Sequence, residues 1–205
     1  MRSNAGALGI ASVTAVLKDV LGNRLLTYPG MSSVGDLSVS TLPPDRITTG
    51  ADERSQLNVF MYRTAPHSGL SQGAMRTGKA AEEKDTGSRL TLDLYYLLTA
   101  YGAQDYHSEI LLGCAVHLLN SIPVLSSDLI REALGSSSPK KTKDSMTPAR
   151  AALSSSDLAN QIEQIRITPQ FLSFEEMSKL WSALQARYRP SVAYEVSAIT
   201  IQGRR

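Results

Sequence analysis

The sequence has little of several features that define familiar protein classes. Of its 205 residues only Cys114 is a cysteine, so the chain cannot close a disulfide within itself. Packing must therefore hold the fold, and a reducing compartment suits its formation. No run approaches the roughly 18 consecutive apolar residues that span a bilayer. The start of the chain is a poor secretory signal. We expect a protein that folds in the cytoplasm and does not insert into a membrane.

Charge of one sign is also scarce. The chain carries 21 basic and 19 acidic side chains, a formal net charge of +2, which produces no strong long-range field. This balance does not call for nucleic acid, and we expect no nucleic-acid partner. Hydrophobic residues make up 42% of the chain and charged residues 20%, a composition that builds a core and is not typical of disorder.

Four segments have apolar residues at helical spacing. The first runs from Ile10 to Leu21, the second from about Asp105 to Asn120, and a shorter one from Asp128 to Leu134. In the second segment the predicted apolar stripe begins at Tyr106. The fourth begins at a capping box, Ser173 to Glu176, in which each side chain bonds the other residue's backbone N–H. Its stripe consists of Met177, Leu180, Trp181 and Leu184.

Five segments read as strands: 37–41, 58–64, 90–98, one that ends near Pro169 and whose residues also fit helical spacing, and 192–201. In the third, Leu90 to Leu98 alternate apolar and mixed side chains, which predicts one buried face. We therefore predict an α+β fold with a single domain over residues 1–205. Its sheet is mostly antiparallel or mixed, with helices packed on one face. Two long polar loops, about 66–88 and 135–155, exceed the usual loop length and are either functional arms or disordered.

Candidate catalytic and metal sites are weak. Gly69 to Gly73 matches G-x-S-x-G, but the chain that follows Ser71 has no apolar helical face, so a flexible loop is the better interpretation. The histidines His67, His107 and His117 lack the spacing of a helical zinc site. We predict no enzyme activity, no cofactor and no metal site.

Four ordered blocks carry a resemblance to a known family. They are LNVFMYRTAP (57–66), LTLDLYYLLTAYG (90–102), HSEILLGCAVHLLNSIPVLS (107–126) and QIEQIRITPQFLSFEEMSKLWSALQARYRPSVAYEVS (161–197). The last is the most specific, with its K-L-W-S-A-L core and R-P-S-x-A-Y turn. The chain resembles the cap, or tail-terminator, subunit of extracellular contractile injection systems, which are phage-tail-like particles. The two long loops match poorly.

The resemblance implies a structural role. Six subunits would form a ring on the inner tube at the end away from the baseplate, stop tube and sheath growth, and join the last sheath layer to the last tube layer. The implied partners are copies of this chain, the inner tube protein and the sheath protein. The implied location is the bacterial cytoplasm during assembly and then the particle, whether released or retained. The resemblance implies no catalytic or metal residues.

Two segments are interface candidates. In the last strand the alternation slips at Ala198, because Val192 to Val196 are in phase and Ile199 and Ile201 are not. One interpretation is a bulge within a single sheet. The other is that the segment leaves its sheet and pairs with a neighbouring subunit. Its residues are Ala198, Ile199, Thr200, Ile201 and Gln202. The second candidate is a basic loop, a solvated surface or a contact for an acidic protein, with Lys140, Lys141 and Lys143.

Two alternatives to the cap remain open. One is an accessory adaptor or anchoring protein of the same particle. The other is a hydrolase that uses Ser71, which would react with a serine-directed probe.

Overall fold

The computed structural model describes residues 8–67, 89–135, 152–153, 158–160 and 164–202. Four helices lie in this part of the chain: α1 (Gly9–Leu25), α2 (His107–Ser121), α3 (Ser127–Gly135) and α4 (Phe174–Ala183). The strands are β1 (Ser38–Ser40), β2 (Gln56–Pro66), β3 (Arg89–Tyr101), β4 (Val124–Leu125), β5 (Ile165–Gln170) and β6 (Ser191–Gln202). Short 3₁₀ turns occur at Met31–Ser33, Pro44–Arg46 and Leu158–Asn160.

The six strands form one mixed sheet in the order β1-β2-β3-β6-β5-β4. Strand β1 pairs with β2 in parallel, and every other neighbouring pair is antiparallel. Strands β2, β3 and β6 are long and central, whereas the edge strands β1 and β4 have only three and two residues. The predicted α+β class and mixed sheet are confirmed.

Most of the hydrophobic core lies on one face of the sheet, which we call the core face. Helices α1, α2 and α3 cover it, because each turns an apolar stripe inward as the helical period dictates. The sheet contributes alternate residues such as Leu94, Tyr96 and Leu98, each no more than 1% exposed. The buried hydroxyl of Tyr96 is satisfied by Thr14 of α1 at 2.9 Å.

Helix α4 packs on the opposite face, which differs from the prediction that the helices share one face. Met177 and Trp181 of α4 cover Leu97, which points away from the core face of β3. The cause lies in the sequence of β3, because Leu97 places a large apolar side chain on the face opposite the core. We call this side of the sheet the α4 face.

Two local predictions are wrong in detail. Tyr106 is 74% exposed and precedes helix α2, with a φ of 68° that places it in the left-handed region. The helix begins one residue later, so Tyr106 cannot join its buried stripe. Leu90 is 49% exposed although it keeps the phase of the buried residues of β3. It lies near the first residue of the strand, where less of the core covers it.

Gly102 joins the sheet to the core-face helices at a close approach. A Cβ atom at this position would lie 2.6 Å from the backbone nitrogen of Ser108 and 2.8 Å from Cβ of His107. The turn between β3 and α2 therefore has no room for a side chain here.

Candidate assembly interface

The last strand contains the bulge that its sequence pattern predicts. Leu92 of β3 pairs with Ile199 and Leu94 pairs with Val196, so two residues of β6 oppose Asp93 alone. Because β6 has one extra residue at this point, the apolar side chains before and after the bulge point to the same face of the sheet, the core face. Residues 198–202 therefore stay in their own sheet, and the interpretation in which they leave it is wrong for the subunit by itself.

Ile199 of this segment is fully buried and belongs to the core. Thr200 points to the opposite face, where its hydroxyl lies 3.3 Å from that of Thr91, and it is 9% exposed, while Ile201 is intermediate. Ile199 lies close under the start of α1, because a Cβ on Gly9 would come within 3.7 Å of it. Removal of the chain after Ser197 would therefore damage the fold as well as any contact with a neighbour.

The backbone of the same segment has an open side. Strand β5 pairs with β6 only from Ala193 to Ser197. Beyond Ser197, no strand in the described part of the chain pairs with β6 on the side away from β3. Contact between this segment and a neighbouring subunit through main-chain hydrogen bonds stays a prediction.

A buried carboxylate lies opposite the bulge. Nδ1 of His67 and Oδ1 of Asp93 are 2.7 Å apart, and the Asp93 side chain is 8% exposed. The backbone N–H of His67 also donates to the carbonyl of Thr91 at 2.9 Å. These contacts fix the end of β2 against β3, and they give the buried carboxylate a partner.

An ion pair lies at the other end of the α4 face. Arg189 donates to both carboxylate oxygens of Glu53, at 3.0 and 2.7 Å, and the backbone N–H of Gly102 donates to the same carboxylate at 3.2 Å. The Arg189 guanidinium also lies 5.4 Å from the ring centre of Tyr101. Burial raises the pKa of the Tyr101 hydroxyl to about 12, and the positive charge of Arg189 opposes that rise. This clamp ties the loop before β2 to β3 and β6.

Helix α4 begins at the capping box predicted from the sequence. The backbone N–H of Glu176 donates to the hydroxyl of Ser173, and the Glu176 carboxylate accepts from the backbone N–H of Ser173. The backbone N–H and the hydroxyl of Ser173 both donate to this carboxylate, and these bonds to the charged form lower the pKa of Glu176. The predicted stripe is only partly buried. Met177 and Trp181 are buried, and Leu180 and Leu184 are partly buried against them.

Three aromatic side chains next to this helix are exposed, and we call them the aromatic patch: Phe171, Phe174 and Tyr188. Phe171 is 93% exposed, Phe174 77% and Tyr188 48%. The Tyr188 ring is 6.0 Å from that of Phe174 and 6.1 Å from that of buried Trp181. The patch therefore rests on packed side chains. Sequence reasoning missed it because Phe174 shares the helical phase of Met177 and Trp181, and that phase predicts burial.

A cleft of about 360 Å³ opens beyond the end of α1. Its apolar lining comes from Leu26, which is 64% exposed, and from Tyr28, Met31 and Leu37. Gly30 and Gly35 adopt positive φ values of 91° and 76°, which a side chain rarely tolerates, and shape the turns around it. Tyr28 is held by a hydrogen bond between its hydroxyl and Nδ1 of His117.

Several predicted residues lie outside the described part of the chain. They include Ser71, the basic candidates Lys140, Lys141 and Lys143, and most of both long loops. His107 is described, and its Nδ1 lies 3.2 Å from the Ser55 hydroxyl. Among the described residues, no group of three or more His, Cys, Asp or Glu side chains could hold a metal ion. No helix in the described ranges is long and apolar enough to cross a bilayer.

Residues 12–205 match the family described as the Pvc16 N-terminal domain. The chain belongs to this family. The match includes all four blocks on which the sequence resemblance rests, and it confirms that resemblance. The Pvc16 N-terminal match also runs through the whole sheet, from β1 to β6, so it includes the bulge, the aromatic patch and the cleft.

Two solved structures align with this member of the Pvc16 N-terminal family. The first, the PVC sheath/tube terminator of an extracellular contractile injection system in the extended state, is 12% identical, with a TM-score of 0.49. The alignment covers 91% of this chain and 57% of that one. The second, the anti-feeding prophage cap (AFP tube terminating cap), is 15% identical with a TM-score of 0.48, over 90% and 54%. This chain thus spans little more than half the length of either protein. No curated protein matches it.

Proposed function

We propose that this chain is a structural subunit of a cap that ends the inner tube and the contractile sheath of a phage-tail-like injection system. The cap lies at the end of the particle distal to the baseplate, and six subunits form it. The observation that carries the proposal is the match of residues 12–205 to the Pvc16 N-terminal domain, together with the four ordered blocks of sequence resemblance.

The partners follow from this role. Each subunit contacts two neighbouring copies, the rim of the inner tube and the last sheath layer. It folds in the bacterial cytoplasm and then becomes part of the particle. The role is structural and does not depend on catalysis.

Electron microscopy of particles from cells that lack this gene tests the proposal. We expect tubes and sheaths of uncontrolled length, or particles that fall apart, and restoration of normal length by the wild-type gene. Particles of normal length and stability without the gene would overturn the cap function. An accessory adaptor of the same particle would then explain the family match better.

A further inference from the structure

The aromatic patch and the cleft lie on different faces of the same sheet. Phe171 directly follows β5 and Tyr188 precedes β6, whereas Leu37 of the cleft directly precedes β1. The cleft opens beside the core-face helix α1, and the patch lies beside α4 on the other face. The patch and the cleft are therefore separate surfaces of one chain.

The patch and the cleft each have properties typical of one side of a protein–protein interface. Aromatic side chains often dominate the binding energy of an interface, and an open cleft with apolar side chains in its lining can receive them. Phe171 of the patch is 93% exposed, and the cleft lining includes Met31, which is 5% exposed.

Charges around the two features are complementary. Arg187 is exposed next to Tyr188, and Asp36 is exposed between two residues of the cleft, Gly35 and Leu37. Within the described ranges neither Arg187 nor Asp36 forms an ion pair. Matching charges at the rim set the orientation of an apolar contact.

We propose that the aromatic patch of one subunit docks into the cleft of a second copy of this chain. Because the two surfaces differ, the contact is heterologous, and it repeats from subunit to subunit until a rotation closes a ring. The proposal rests on the proposed function in that a closed ring is what a cap requires. It specifies the side chains that hold the ring together.

Site-directed cross-linking tests the contact between the two surfaces. In a Cys114→Ser background, one batch of full-length protein carries Phe171→Cys and another carries Leu26→Cys. We expect a short bismaleimide to give a cross-linked dimer from the mixture. The yield of this dimer should be roughly tenfold lower from either batch alone. A matched control replaces Phe171→Cys by Tyr106→Cys, since Tyr106 is also highly exposed but lies elsewhere.

The same variants should also be examined within particles. A chain that carries both cysteines should give a cross-linked ladder that ends at a closed ring. Purified protein and normal-length particles that both lack the Phe171–Leu26 product would overturn the docking, and the cap function would stand. Equal yields from the Tyr106→Cys control mixture would also overturn it. Failure of the cap function itself would show in the gene deletion, which does not depend on any cysteine.

Binding strength provides a second measurement. By sedimentation of the full chain, Phe171→Ala and Leu26→Ala should each weaken self-association roughly tenfold or more. Tyr106→Ala and Leu42→Ala serve as controls, because both side chains are exposed but belong to neither surface. Self-association that is unchanged in both test variants would contradict the proposal.

Discussion

The core face and the α4 face of the sheet are packed in different ways. Three helices cover the core face, and side chains such as Val16, Leu94 and Val196 are fully buried there. Among the described residues, the buried apolar cluster on the α4 face consists of Leu97, Met177 and Trp181, and the His67–Asp93 and Arg189–Glu53 contacts lie at the two ends of the surface. Burial on the core face therefore supplies most of the folding energy, whereas the α4 face holds a few side chains in fixed positions at the surface.

The largest predicted effect is on the core face. Leu94→Ala should lower the free energy of unfolding by roughly 2–5 kcal/mol, since it removes a fully buried side chain and leaves a cavity. Urea unfolding measures the loss. Leu90→Ala is the control, because this half-exposed residue of the same strand should cost less than about 1 kcal/mol. Equal losses at the two positions would contradict the expectation that the burial of each side chain determines the cost of its removal.

Gly102, where the sheet meets the core-face helices, should be the next most sensitive position. Gly102→Ala should destabilise the protein by roughly 1–3 kcal/mol, because the added methyl group meets backbone atoms that cannot move aside. Gly113→Ala should have the opposite sign and add roughly 0.5–1 kcal/mol, since this exposed helical glycine has no heavy atom within 4 Å of the added Cβ. Thermal unfolding of both variants would decide, and stabilisation by Gly102→Ala would refute the close approach.

The clamp on the α4 face should have a smaller effect. Arg189→Lys keeps the charge but loses the bidentate geometry, so we expect a loss of about 1.5 kcal/mol. A double-mutant cycle with Glu53→Gln should give non-additive losses, because both changes act on one interaction. Additive losses in urea unfolding would mean that the two side chains contribute independently.

The cap of α4 comes next in size. Ser173→Ala should cost about 1 kcal/mol, because it removes the side chain that accepts from the backbone N–H of Glu176. Ser182→Ala in the same helix should change stability by less than about 0.5 kcal/mol, since its hydroxyl only donates to the carbonyl of Ser178. If the two variants were equally stable, the capping box would contribute nothing.

The smallest effect on stability should come from the aromatic patch. Phe171→Ala should leave the free energy of unfolding within about 0.5 kcal/mol of the wild type, because the ring is 93% exposed. The same substitution should still impair self-association. A large loss of stability in the isolated subunit would mean that Phe171 serves the fold, and the division between the two faces would fail.

Much of this fold could be predicted from the sequence, because local signals and the final structure agree. The stripe of α1 and the alternation in β3 depend on helical and strand periods alone, and the capping box depends on the spacing of Ser173 and Glu176. The slip at Ala198 was predictable as an irregularity, and a bulge was one of its two interpretations. The pairing in β3 and β6 resolves it, since only the bulge turns Ile199 and Val196 to the same face.

What could not be predicted depends on which elements meet in space. The position of α4 on the second face follows from Leu97, whose burial requires knowledge of the pairing. The exposure of Phe174 has the same origin, because its helical phase is that of buried residues and only its place at the helix start leaves it uncovered. The cleft forms from a loop with turns at Gly30 and Gly35. This loop has no periodic apolar pattern from which the cleft could be predicted.

The most direct test of the cap function is the position of this chain in a finished particle. Gold labelling of a tagged, functional subunit, viewed by electron microscopy, measures it. The account predicts label at one end of each particle, opposite the baseplate, and at no other site. Label along the sheath, at the baseplate, or absent from intact particles would contradict it.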